Sequence, residues 1–131
     1  MRKVRTEALS FPEVEPDQPL AVAAGQRWQV LCGDGGQYRI GVYSPEVAGL
    51  DEVAELEQHD CPEFFILLSG RVTLVLADGQ GDVQEVALRP ECPLLVSAPH
   101  SGYCPDGPFT GRALVVERDA FSTEYRDLRE W

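Results

Sequence analysis

Apolar and polar residues alternate in short runs along most of this chain, and Gly, Pro and Asp interrupt them at close intervals. In residues 38–43, Tyr38, Ile40 and Val42 share one parity, and in residues 71–76 Val72, Leu74 and Leu76 do the same. Successive side chains of a strand point to opposite faces, so each run predicts a strand with one buried side. Comparable runs lie at 27–32, 54–68, 83–88, 94–98 and 112–117. Turn signals separate them: Gly33 to Gly36, the Gly- and Asp-rich stretch 77–82, residues 90–93, and a Gly/Pro-rich loop over 101–111. Residues 45–53 read as a loop or a single helical turn. About eight short strands at this spacing predict an all-β antiparallel sandwich or barrel, with a core over about 26–117.

The two ends depart from that pattern. Pro12, Pro16 and Pro19 exclude a regular helix from residues 1–24, which read as an extended arm. After Ala120, the residues Phe121, Glu124, Tyr125, Leu128 and Trp131 recur at spacings of three and four, which predicts a short C-terminal helix over 120–131. Asp119 or Ser122 would cap its start.

The length of 131 residues fits one domain with a real core. No apolar segment approaches the roughly 20 residues that span a bilayer. The basic start Met1 to Arg5 leads into Pro and acidic residues instead of an apolar signal core, so a cytoplasmic location is expected. Cys32, Cys61, Cys92 and Cys104 are widely spaced and form no C-x-x-C pair, which suits reduced thiols. The net charge of −11 argues against nucleic acid and against anionic membrane surfaces as partners. An anionic ligand would need arginines placed locally against this field.

The densest chemistry lies at residues 57–70. Glu57, His59, Cys61 and Glu63 have one parity and would project from one face of the 54–68 strand. The apolar run Phe64 to Leu68 follows at once, carrying this polar row into a hydrophobic structure. Ionisable groups are rarely buried without partners, so the row reads as a site.

The spacing Glu57-x-His59-x3-Glu63-x6-Gly70 resembles the first motif of the cupins, G-x5-H-x-H-x3,4-E-x6-G. Glu57 stands at the place of the first His, and Asp51 at the place of the first Gly. Residues 90–100 resemble the strand and turn of the second motif, G-x5-P-x-G-x2-H-x3-N, with His100 at its His and Cys104 at its Asn. The resemblance covers about residues 36–117. It implies a single-domain jelly-roll barrel whose interior holds a divalent metal. Carried over residue by residue, the ligands would be His59, Glu63 and His100, with Glu57 in the first-His slot. Two imidazoles and two carboxylates suit Mn, Fe, Ni or Zn, with the harder Mn and Fe(II) favoured. A site without metal is the alternative the Glu57 substitution leaves open.

Other residues are weaker candidates. Glu57 is also a candidate general base, and Tyr103 a candidate acid or hydrogen-bond donor at the barrel mouth. Arg39 and Tyr43 precede the motif and would line the cavity if they face inward, although an outward Arg39 is the plainer expectation. Cys61 reads as a buried inert thiol, and Trp28 and Trp131 as packing residues. No Ser/His/Asp triad, P-loop or dinucleotide fingerprint is present.

Three functions follow from the resemblance. The first is a metal-dependent protein acting on a small organic acid or sugar-like ligand. The second is a metal-free relative of nucleotide-sugar isomerases in which His59 and His100 move protons. The third is a non-catalytic small-ligand binder. An edge strand and the N-terminal arm also make a homodimer the expected assembly.

Overall fold

The computed structural model describes residues 1–131 and contains eleven strands and one short 3-10 turn, Leu50–Glu52. The strands are β1 (Arg2–Thr6), β2 (Trp28–Asp34), β3 (Tyr38–Tyr43), β4 (Glu55–His59), β5 (Glu63–Ser69), β6 (Thr73–Ala77), β7 (Val83–Ala87), β8 (Leu94–Val96), β9 (His100–Tyr103), β10 (Arg112–Arg118) and β11 (Phe121–Asp127). They form two antiparallel sheets, one ordered β1-β11-β4-β9-β6-β7 and the other β2-β3-β10-β5-β8. The architecture is therefore a sandwich of two sheets and not a closed barrel. No helix is long and apolar enough to cross a membrane.

The sandwich interior divides into an apolar end and a polar end. Phe65, Leu74, Leu76, Val96, Ala113 and Val115 belong to one buried cluster. Their strand parities put them all between the sheets, and full burial of a side chain such as Leu74 stabilises the fold by about 2 kcal/mol. A second, smaller cluster covers the opposite face of the six-stranded sheet, where Leu56, Val75 and Ala77 pack against Tyr103, Leu128 and Trp131. Alternation along β4 thus sends Leu56 outward to this layer and Glu57 and His59 inward.

Three expectations from the sequence are corrected. Residues 54–68 are not one strand. The chain turns at Asp60-Cys61-Pro62, so β4 belongs to one sheet and β5 to the other. Pro62 has no N–H to continue a ladder, and Asp60 anchors the turn by accepting the Ser122 N–H at 2.9 Å. The expected helix over 120–131 is strand β11, which pairs with both β1 and β4. Phe121, Thr123 and Tyr125 share its inner face, and their β-branched and aromatic side chains suit a pleated surface. The N-terminal arm is partly regular, because β1 adds an edge strand to β11 before the irregular stretch that follows.

Gly70, which ends the first motif, has φ of +63°. A Cβ there would lie 2.2 Å from the Thr110 carbonyl oxygen. Only Gly fits both the left-handed turn and the close approach of the neighbouring loop.

Candidate metal centre

The polar end of the interior is a cavity of about 170 Å³ lined from both sheets. Glu57 and His59 enter from β4 and His100 from β9, where Glu57 lies directly opposite His100 in the ladder. Glu63 enters from β5 on the facing sheet. The four groups come together because each occupies the inner parity of its own sheet.

Glu63 Oε1 lies 2.8 Å from His59 Nε2 and 2.8 Å from His100 Nε2. Glu57 Oε1 stands 3.8 Å from the first imidazole and 3.9 Å from the second. The side chains of His59, His100 and Glu63 are almost fully buried, at 7%, 6% and 6% exposure, whereas Glu57 retains 21%. Ligand atoms of Glu57, His59 and His100 lie within 4.8 Å of one another.

The orientation of the imidazoles is set from behind. His100 Nδ1 lies 2.9 Å from the Ala98 carbonyl oxygen. That oxygen can only accept, so Nδ1 carries the proton and Nε2 faces the cavity. His59 Nδ1 lies 2.7 Å from Thr123 Oγ1, across the β4–β11 pairing that matches the two residues. Anchoring the far nitrogen fixes the ring and leaves Nε2 as the inward donor atom, which is the usual support for a metal-bound histidine.

Glu63 Oε1 is the distinctive atom. It is buried and close to two imidazole nitrogens, yet no N–H is directed at it as a hydrogen-bond donor. The donor atoms that all lie within 4.8 Å of one another form two overlapping sets, Glu57, His59 and His100, and His59, Glu63 and Glu117. Ligands about 2.1 Å from one ion lie about 3 Å apart at right angles and about 3.4 Å apart in a tetrahedron, and the Glu63 and Glu57 separations of 2.8, 3.8 and 3.9 Å bracket those values. The donor set and its geometry fit a divalent cation.

The electrostatics show how strongly these groups are coupled. Burial raises the Glu63 carboxyl, but the two imidazoles overrule it and hold it well below the usual carboxylate range. Burial opposes protonation of His100, yet Glu63 and then Glu57 raise it to about 9. The same balance raises His59. Without a cation, protonated imidazoles neutralise the buried carboxylate.

Two further residues reach the cavity. Arg39 faces inward, contrary to the plainer expectation, and its Nε lies 2.7 Å from Glu117 Oε2. Arg39 Nη1 also donates to the Ser10 carbonyl at 3.2 Å, and the guanidinium stacks on Trp28 and Phe121. Glu117, absent from the sequence-based candidates, approaches His59 and Glu63 within ligand range. Burial and the neighbouring Glu63 charge push its carboxyl up to about 7, against the pull of Arg39. Its signal was the inner parity of Ala113, Val115 and Glu117 on β10. Tyr43 and Trp28 also line the cavity, and Trp28 packs against the main cluster as expected.

Tyr103 is not brought to the site. It occupies the outer parity of β9, packs with the second cluster, and donates its hydroxyl to Glu85 at 2.7 Å. Cys61 is buried in the turn between β4 and β5, away from the cavity lining. Trp131 packs on the outer cluster as expected.

No family model matches the sequence, and no curated protein resembles it by sequence. Solved structures do resemble its fold. A cupin-2 domain protein from Shewanella frigidimarina aligns with a TM-score of 0.52 and 16% identity over 72% of this chain and 83% of that one. Cobalt(II) HppE in complex with substrate aligns with a TM-score of 0.56 and 14% identity over 82% of this chain. The match covers 62% of HppE, so this chain spans less than two thirds of that protein. An RmlC-like cupin family protein with a double-stranded β-helix fold, from Methanocaldococcus jannaschii, aligns with a TM-score of 0.52 and 11% identity over 80% of this chain and 93% of that one. The chain has the fold of the cupin superfamily.

Proposed function

We propose that this cupin-fold chain binds one divalent metal ion through His59, Glu63 and His100, with Glu57 as a fourth ligand, and presents it to a small organic acid or sugar-like molecule. The observation that carries this reading is Glu63 Oε1, buried between two inward Nε2 atoms without an aligned donor. Two nitrogen and two carboxylate donors favour Mn or Fe(II) over softer ions. A cupin-fold protein, HppE, holds cobalt(II) with its substrate, which supports a metal in this architecture. When bound, the ion supplies Lewis acidity and open positions for ligand or water.

The chain's own residues divide the remaining work. Ala98 and Thr123 hold the imidazoles in register, and Glu117 with Arg39 keeps a second charged pair beside them. Glu57, the most exposed of the four, is the group best placed to exchange a proton with a ligand entering from the mouth. The elevated pKa of His100 favours a second reading, a metal-free proton relay through Glu63. A cavity of about 170 Å³ falls below the roughly 300 Å³ at which drug-sized ligand sites begin, which disfavours a whole nucleotide sugar.

Elemental analysis of untagged protein separates the two. Stoichiometric Mn, Fe, Ni or Zn that disappears in the His59→Ala, His100→Ala double variant is the expected result. Folded protein that stays metal-free after reconstitution, or a double variant that keeps its metal, overturns the metal reading.

A further inference from the structure

The cavity carries enough charge and shape to define its ligand more closely. Five permanently or readily charged side chains other than histidine line it: Arg27 and Arg39 against Glu57, Glu63 and Glu117. Glu57 and Glu63 balance a divalent ion held between neutral imidazoles, Glu117 pairs with Arg39 and Glu46 with Arg27, so the site has no excess charge of its own. An anion is then drawn by the half-exposed guanidinium of Arg27, and a dianion brings more charge than that one group matches.

The two arginines are not equivalent. Arg39 is held inward by Nε on Glu117, Nη1 on the Ser10 carbonyl, and its face over the Trp28 and Phe121 rings. Arg27 makes one ion pair, Nε to Glu46 Oε2 at 2.9 Å, with both side chains about half exposed, and its guanidinium lies over the Tyr43 ring. Its terminal nitrogens are left for a ligand at the cavity mouth, beside Glu57 and Tyr125. A guanidinium fork matches a carboxylate in two parallel hydrogen bonds. Deeper in, Phe65, Val115 and Phe121 supply an apolar wall.

Size bounds the ligand as well. A cavity of about 170 Å³ admits a small molecule and falls short of a drug-sized one. We propose that the ligand is a small monocarboxylic acid, its carboxylate held by Arg27 at the mouth and its apolar part against the Phe65 and Phe121 wall. This inference rests on the metal reading given above.

The test is calorimetric titration of Mn(II)-loaded protein with butyrate, its neutral analogue butyramide, and inorganic phosphate, with metal content measured on the same samples. Butyrate is expected to bind at least tenfold more tightly than butyramide or phosphate. Arg27→Gln is expected to weaken butyrate at least tenfold with metal content unchanged, and Arg27→Lys to keep most of the preference. Arg71→Gln, which removes an exposed pair with Asp106 outside the cavity, leaves binding unaltered. The inference is overturned if metal-loaded protein fails to bind butyrate, does not distinguish it from butyramide, prefers phosphate, or is indifferent to Arg27→Gln. Protein that takes up no Mn(II) overturns the metal reading and this inference together, and elemental analysis tells that failure from the others.

Discussion

Replacing Glu63 with Gln tests the electrostatic core of the site through stability alone, before any ligand is known. In metal-free protein, His100 is almost fully buried, and its pKa is about 9 against 6.5 for the free side chain. Burial works against that rise, and Glu63, followed by Glu57, outweighs it. Each pKa unit is worth 1.36 kcal/mol, so a shift of this size links about 3 kcal/mol of stability to pH. The folded state binds the proton more tightly than the unfolded one. This contribution is therefore fully present below about pH 6.5 and lost as pH rises through about 9. Glu117 acts in the same direction at lower pH. Burial and Glu63 raise it to about 7, so its contribution is present below the usual carboxylate value of 4.5 and lost through about 7. Glu63 opposes both. Its depressed pKa makes its contribution present above 4.5 and lost on acidification.

Metal-free wild-type protein is thus expected to lose about 3 kcal/mol between pH 6.5 and 9, the share set by His100. In Glu63→Gln the imidazole loses its main partner, and burial then disfavours the charged form. The decline above pH 6.5 disappears. The assay is urea unfolding in the presence of a chelator at pH 6, 7.5 and 9, followed by tryptophan fluorescence. A wild-type profile flat to within about 1 kcal/mol refutes the coupling, as does an equal decline in Glu63→Gln.

Three further outcomes are expected. Saturating Mn(II), at about 100 times its Kd, adds about 2.7 kcal/mol of unfolding free energy at neutral pH, and the gain grows toward pH 9 as the imidazoles deprotonate; a thermal melt against metal concentration measures it. Thr123→Val removes the oxygen behind His59 Nδ1 and lowers metal affinity about tenfold, read by competition with a chelating dye, while the chelated protein's stability changes by less than about 1 kcal/mol. Leu74→Ala empties the centre of the main cluster and costs about 3 kcal/mol in urea unfolding without altering metal stoichiometry.

Much of the architecture was legible because period-two burial is a local property. Val72, Leu74 and Leu76 announced a strand, and no tertiary information was needed to place them inside. The C-terminal segment shows where that logic becomes ambiguous. A spacing of four, as between Phe121 and Tyr125, is both one turn of helix and an even step along a strand, so the same residues support either reading. What decides is the partner: β11 fills the gap between β1 and β4, and two ladders outweigh a marginal isolated helix. Tyr103 was misjudged for a related reason. Proximity to His100 in sequence implied proximity in space, but an odd step along β9 places the two side chains on opposite faces of the sheet.

The polar row at 57–63 brought its members together by a different route from the one its parity suggested. A single strand would set His59 about 7 Å from Glu57 and Glu63 about 14 Å further on, too far for one ion to be shared by all three. The turn at Asp60-Cys61-Pro62 instead moves Glu63 to the facing sheet, and its carboxylate meets His59 across the interior at 2.8 Å. The motif spacing between His59 and Glu63 is therefore the length of a crossing between sheets, and Gly70 marks the next reversal. Glu117 was hidden for the complementary reason. Its inward parity was readable on its own strand, but that β10 lies beside β3 and β5, carrying Arg39 and Glu63, is a fact of sheet order. A carboxylate at an inward position without a local cation marks a residue whose partner must come from another strand.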